Sequence, residues 1–238
     1  MRVLATKIDG GTGDDRLQDW LRLVDPVKRQ RVLRFRRRED AWRTLLADLL
    51  VRSAAIERTG LPNDRLVFTT DSLGKPFLDG VDGFQFNAAH SGEWVACAVD
   101  ARPIGVDVER IRPWKPSVAA ACLTSIEQAD VHAAEDRDRR FCRLWTAKES
   151  YAKALGQGLN LRFDTVEVRE GAVGFCGVTR DGKPDEAWQL CEYEPDRRHA
   201  MTVCARHAEF PRELTVRGTA EILSIIHRGE GDGTRRSA

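Results

Sequence analysis

Between residues 39 and 58 the apolar side chains Trp42, Leu45, Leu46, Leu49, Leu50 and Ile56 recur at helical spacing, and Gly60-Leu61-Pro62 closes the run. That pattern predicts one long helix with a face turned to a core. Just upstream, Asp25-Pro26 reads as a helix start, with Asp as the cap and Pro at the first helical position. The period then changes. Ile104, Val106 and Val108 alternate with Gly105, Asp107 and Glu109, the signature of a half-buried strand. Strand-like pieces precede it at 3–9, 65–70, 84–87 and 94–99, with turns at Gly74-Lys75-Pro76 and Ser91-Gly92-Glu93. Beyond Pro113 and Pro116 helical spacing returns. Thr124-Ser125-Ile126-Glu127 has the form of a capping box. A helix over 139–155 is expected to bury Phe141, Leu144, Trp145, Ala152 and Leu155 and to end at Gly156 or Gly158. Strands are expected again at 165–170, 173–178, 188–193 and 200–205. Each half therefore runs helices and then strands.

Composition narrows the class. With 238 residues, 42% of them hydrophobic and 32% charged, the chain suits a globular protein of one large or two small domains. No run of 18 apolar residues suggests a membrane span, and the opening residues 1–7 lack a signal-like apolar stretch, which points to the cytoplasm. Six cysteines (97, 122, 142, 176, 191, 204) form no CxxC pair and are expected as reduced core fillers. A formal net charge of +1 gives no general attraction to nucleic acid or membrane. Charge is uneven, however. Lys28, Arg29, Arg31, Arg34, Arg36, Arg37, Arg38 and Arg43 face only Glu39 and Asp40, either as a solvated helix face or as an anion site for a polyphosphate ligand. His132, His199, His207 and His227 read as structural, Gly10-Gly11-Thr12-Gly13 as a loop, and the Gly-, Arg- and Ser-rich stretch from Arg228 onward as a disordered tail.

The chemistry is concentrated in three acidic residues. A strand puts Asp107 and Glu109 on one face, about 7 Å apart. Carboxylates so close raise each other's pKa unless a cation neutralises them. Glu149 lies one helical turn before Lys153, adding a third carboxylate and an ammonium on one face. Oxygen donors without His or Cys suit a hard cation such as Mg²⁺, which also takes substrate phosphates. The plainer readings are a solvated strand edge and a surface ion pair worth about 0.3–0.5 kcal/mol. Lys148 reads equally as a spectator or a ligand contact.

Three segments then resemble the Sfp-type 4′-phosphopantetheinyl transferases. They are Gly105-Val106-Asp107-Val108-Glu109; Trp145-Thr146-Ala147-Lys148-Glu149-Ser150-Tyr151-Ala152-Lys153; and the pair Gly74-Lys75-Pro76 with Phe86-Asn87-Ala88-Ala89-His90-Ser91. Residues 35–53 also look like this family, and the likeness runs from about residue 3 to 223. One departure is Ala89, where the family usually has Ser. The resemblance implies an α+β fold of two similar α/β halves related by a pseudo-two-fold, 1–103 and 104–223, with the active site in the cleft and 224–238 as tail. It implies transfer of the phosphopantetheine arm of coenzyme A to a serine of an apo carrier protein, releasing adenosine 3′,5′-bisphosphate. Mg²⁺, with Mn²⁺ as the alternative, is expected on Asp107, Glu109 and Glu149. Glu149 is also the expected base, with Lys153 and His90 beside it. His90, Lys75 and the backbone at Ala89 are expected at the pyrophosphate, Lys28, Arg31 and Arg43 at the 3′-phosphate, and Thr44 near the adenosine. The expected partners are carrier proteins of polyketide, non-ribosomal peptide or fatty-acid synthesis, met by a monomer through a basic and apolar patch between residues 118 and 158. Two rivals are a Mg²⁺-dependent nucleotide phosphohydrolase and a nucleic-acid-binding module built on an arginine-rich helix at 28–43.

Overall fold

In the computed structural model, which describes residues 1–8, 14–206 and 209–231, strand β1 (Arg2–Lys7) is followed by helices α1 (Asp14–Trp20), α2 (Pro26–Leu33) and α3 (Arg38–Thr59). A small hairpin, β2 (Phe68–Thr70) and β3 (Pro76–Leu78), leads into β4 (Gln85–Ser91), β5 (Trp94–Asp100) and β6 (Ile104–Arg110). Helices α4 (Pro116–Cys122), α5 (Ser125–Ala133) and α6 (Arg137–Leu155) come next. Strands β7 (Val166–Gly171), β8 (Gly174–Arg180), β9 (Lys183–Tyr193), β10 (His199–Arg206) and β11 (Thr215–Val216) follow, and helix α7 (Thr219–Gly231) is last. The expected loop at Gly10–Gly13, His207 and the end of the tail from residue 232 lie outside the described residues. Among the described residues no helix is long and apolar enough to cross a membrane.

The fold is α+β. One sheet runs β11-β1-β5-β4 and the other β6-β10-β9-β8-β7. Within them β1-α3-β4-β5 and β6-α6-β9-β10 have the same connectivity: the first strand pairs antiparallel with the last, which pairs antiparallel with the third. Strand alternation assigns the layers. Leu4, Val95, Cys97 and Val99 join Leu45, Leu46, Leu49 and Leu50 of α3 in one core. Their neighbours Val3, Ala5, Ala89, Ala96 and Ala98 turn the other way and meet Ile104, Val106, Val108 and Val203 of the second sheet. The alanines allow close approach of the two sheets. The outer face of the second sheet carries α6, with Leu144, Ala147, Tyr151 and Cys204 in a third core. The order is thus helix, sheet, sheet, helix. Each fully buried leucine of α3 contributes about 1.5–3 kcal/mol to this arrangement.

Most predicted elements stand, and their ends are explained locally. Asp25 accepts the Lys28 N–H as N-cap at 2.8 Å, and Gly60 closes α3 with φ 70°. Both halves of the Thr124–Glu127 capping box form, and Gly156 ends α6 with φ 73°. Several expectations are corrected. The arginine-rich run is not one helix: α2 stops at Leu33 and α3 restarts at Arg38, where Glu39 and Asp40 meet the positive helix N-terminus. Residues 63–65 form a short 3₁₀ turn, so the strand expected from Arg65 begins only at Phe68. Phe141, Trp145 and Leu155 are half-buried, not core. The expected tail boundary at 223 falls inside α7, because Ile222, Ile225 and Ile226 pack into the α3 core. All six cysteines are free, but Cys176 is exposed and fills no core.

Candidate active site

The glycine of the first acidic motif sets the site's geometry. A Cβ on Gly105 would lie 2.0 Å from the Ser150 carbonyl oxygen and 2.5 Å from the Ala154 nitrogen, both backbone atoms of α6. Only glycine lets α6 lie this close on β6. Residues 105, 107 and 109 share the face turned to α6, so Asp107 meets the helix that carries Glu149 and Lys153. The Lys153 ammonium donates to Asp107 Oδ1 at 2.5 Å, while Asp107 Oδ2 is buried without a hydrogen-bond partner. Burial pushes the Asp107 carboxyl up to about 7; Lys153 opposes the rise, and Glu109 and Glu149 add to it. The Glu149 carboxyl is raised too, first by burial, against Lys153 and with Glu109. Burial disfavours the Lys153 ammonium, but Asp107, Glu149 and Glu109 together raise its pKa. The three carboxylates therefore sense one another across the strand and the helix.

Strand β4 of the first sheet supplies the other wall, with alternate side chains on opposite faces. Asn87 and Ser91 turn toward β6: Asn87 Oδ1 accepts the Val106 N–H at 2.9 Å, and the Ser91 hydroxyl donates to Glu109 Oε2 at 2.6 Å. Phe86, Ala88 and His90 turn the opposite way and line a groove of about 240 Å³ shared with Lys28, Arg31 and Thr44. Partial burial lowers the His90 pKa, and the Arg43 and Lys153 cations lower it further. On the other side of Glu109 lies an apolar groove of about 230 Å³ walled by Trp114, Phe141 and Trp145. Phe141 and Trp145 stack with ring centroids 6.5 Å apart. A cationic groove and an aromatic groove thus flank one cluster of carboxylates.

Comparison with known proteins decides the family. Residues 13–102 match the family described as "4′-phosphopantetheinyl transferase, N-terminal", and residues 103–204 match the "4′-phosphopantetheinyl transferase superfamily". The chain is 33% identical over 226 residues to 4′-phosphopantetheinyl transferase Sfp of Bacillus subtilis (strain 168), covering 94% of this chain and 100% of that one. The chain belongs to the Sfp-type 4′-phosphopantetheinyl transferases. A second Bacillus subtilis 4′-phosphopantetheinyl transferase is 34% identical over 203 residues, 84% of this chain and 90% of its own. In Xenopus laevis, L-aminoadipate-semialdehyde dehydrogenase-phosphopantetheinyl transferase is 29% identical over 211 residues, 78% of this chain and 70% of its own. As a member, this transferase moves the phosphopantetheine arm of coenzyme A to apo carrier proteins.

In the transferase, the other residues marked out by the sequence make the following contacts. Lys28, Arg31, Thr44 and His90 share the cationic groove. Arg43 donates to the Gly92 carbonyl at 2.8 Å and to Asp40 at 2.6 Å, with its cation near enough to His90 to lower the imidazole pKa. Lys75 donates to the Lys153 carbonyl at 3.0 Å and to those of Ile104 and Ala154 at 3.4 Å. These contacts tie the β2–β3 turn to the negative C-terminal end of α6. The Ala89 side chain is buried between the sheets, so a serine hydroxyl there would enter the apolar seam and not the groove. Lys148, left open by sequence, is fully buried: it pairs with Glu127 at 2.5 Å and donates to the Cys122 and Phe163 carbonyls, each at 2.9 Å. The sequence reading missed Asn87, Ser91 and Trp114. For the first two, the alternation of β4 around His90 carried the signal; for Trp114 there was none.

The donor chemistry of the carboxylate cluster fits a hard cation, since Asp107 keeps a buried oxygen with no partner and the set is short of positive charge. As they stand, no three His, Cys, Asp or Glu side chains among the described residues are grouped closely enough to hold a metal.

Proposed function

We propose that Asp107, Glu109 and Glu149 hold the Mg²⁺ of this transferase and that the flanking grooves take its two substrates. The observation carrying this reading is the convergence of Asp107, with its unpartnered Oδ2, on Lys153 and Glu149 of α6, between a cationic and an aromatic groove. A bound Mg²⁺ supplies charge neutralisation for the pyrophosphate in the transition state. Lys28 and Arg31 bind the 3′-phosphate of coenzyme A, Thr44 lies at the adenosine, and His90 at the pyrophosphate. Lys153 neutralises the leaving bisphosphate. The carrier serine oxygen attacks the phosphorus nearest the pantetheine; the new O–P bond forms as the pyrophosphate P–O bond breaks, and adenosine 3′,5′-bisphosphate leaves. Glu149 accepts the serine proton.

The carrier docks beside Glu109, over the aromatic groove, where Arg110, Arg112 and Lys115 give the positive charge an acidic carrier seeks. Carriers of polyketide, non-ribosomal peptide and fatty-acid synthesis are the proposed acceptors, and one copy of the chain, working in the cytoplasm, suffices for the site. Incubating carriers of each kind in apo form with coenzyme A, with Mg²⁺ or with chelator, tests this by mass spectrometry. One phosphopantetheine gained per carrier, only with metal, is the expected result. Turnover of coenzyme A without any acceptor would point to a phosphohydrolase instead.

A further inference from the structure

Behind the cationic groove a ring of polar contacts closes on Lys28 from both ends. Its backbone N–H donates to the capping Asp25 Oδ1 at 2.8 Å, and its ammonium meets Asp48 Oδ1 at 3.1 Å. Arg52, 2% exposed, joins these two carboxylates, donating to Asp48 Oδ2 at 2.7 Å and to Asp25 Oδ2 at 3.2 Å. The same guanidinium donates to Asn63 Oδ1 at 3.1 Å, and Asn63 donates to the Leu23 carbonyl at 2.9 Å, fixing the chain just before α2. It also lies over the ring of Phe68, which lines the groove, 5.0 Å from its centroid. Arg31, by contrast, stands exposed on the same helix.

We propose that Asp48 is a positioning residue for recognition of the terminal 3′-phosphate of coenzyme A, holding the Lys28 ammonium at the groove through the buried Asp48–Arg52 pair. The inference rests on the assignment of Lys28 to that phosphate. A lysine side chain has large rotamer entropy, lost when it grips a ligand. An ion pair that already fixes the ammonium removes that loss from the binding step and leaves its other N–H donors for phosphate oxygens. The opposing effect is that a carboxylate in the groove repels the incoming phosphate. Arg52 offsets it, because it neutralises Asp48 at 2.7 Å from behind.

The test compares coenzyme A with 3′-dephospho-coenzyme A in the wild type, Asp48→Asn, Lys28→Ala and the double variant. In Asp48→Asn the buried Arg52 holds the amide oxygen, so the NH₂ faces Lys28 and cannot anchor it. The expected result is a KM for coenzyme A raised about tenfold, with kcat and the KM for the dephospho substrate changed by less than about threefold. In the Lys28→Ala background Asp48→Asn should add nothing. Each preference is a ratio within one protein, so a partly unfolded sample does not alter it. Asp25→Asn, which keeps a capping acceptor, loosens the same ring from its other side and should narrow the preference in the same direction. An equal rise in KM for both substrates would reduce Asp48 to a packing role, and tighter coenzyme A binding would mean that repulsion prevails. Either overturns the proposal. If Lys28→Ala itself leaves the preference intact, the phosphate assignment fails first, and the proposal with it.

Discussion

Lys148→Met is expected to destabilise the fold strongly while leaving recognition of coenzyme A intact, although Lys148 sits inside the motif that carries Glu149 and Lys153. Its ammonium has three N–H donors, and the structure uses all of them on Glu127, the Cys122 carbonyl and the Phe163 carbonyl. None is left for a phosphate. Removing one partner of a buried ion pair costs about 3–5 kcal/mol, because the other charge stays buried. Here Glu127 keeps the Thr124 N–H at 2.9 Å and the Val168 N–H at 3.0 Å, which favours the lower end of that range. For a chain of this size, about 3 kcal/mol corresponds to a fall of roughly 6–12 °C in melting temperature. Thermal unfolding, with KM for coenzyme A measured well below the transition, checks both halves of the claim. Glu127→Gln in the Lys148→Met background should recover part of the loss. A variant with wild-type stability and a much higher KM would refute the reasoning and make Lys148 a ligand contact.

Three further outcomes follow from individual contacts. Gly105→Ala should cost more than about 4 kcal/mol in urea unfolding, since the new methyl meets α6 backbone that cannot yield. Ser91→Ala should weaken Mn²⁺ binding about tenfold, read by electron paramagnetic resonance, because the Glu109 carboxylate loses the hydroxyl that orients it. Burial alone would raise the Asp196 carboxyl, but His199, the Trp94 N–H and the Arg198 N–H hold it well below its ordinary value of 3.8. A carboxyl depressed in the folded state contributes stability above that ordinary value and loses it as pH falls toward the folded value. The melting temperature should therefore drop below about pH 4, and Asp196→Asn should flatten that drop.

Helices α3 and α6 and strand β6 were legible because apolar period, caps and terminal glycines agree within each segment. The acidic motif was legible for the same reason: alternation fixed Asp107 and Glu109 on one face before any fold was known. What escaped depends on contacts between distant segments. Helix α7 has apolar spacing of its own at Ile222, Ile225 and Ile226, yet its partner is α3, far earlier in the chain. The positions of Lys75 and Arg43 turn on which backbone carbonyls lie within reach, which no periodicity encodes. Ala89 was marked by the family pattern for a backbone contact, and strand alternation sends its side chain to the face opposite that of His90.

On our proposal, the carboxylates at the meeting of β6 and α6 drive transfer to a carrier serine. Its most direct measurement is the mass of an apo carrier protein after incubation with coenzyme A, Mg²⁺ and either the wild type or folded Asp107→Ala and Glu149→Ala variants. One phosphopantetheine added by the wild type, and none by either variant at matched protein and time, is the expected result. Full transfer by both variants would contradict the proposal.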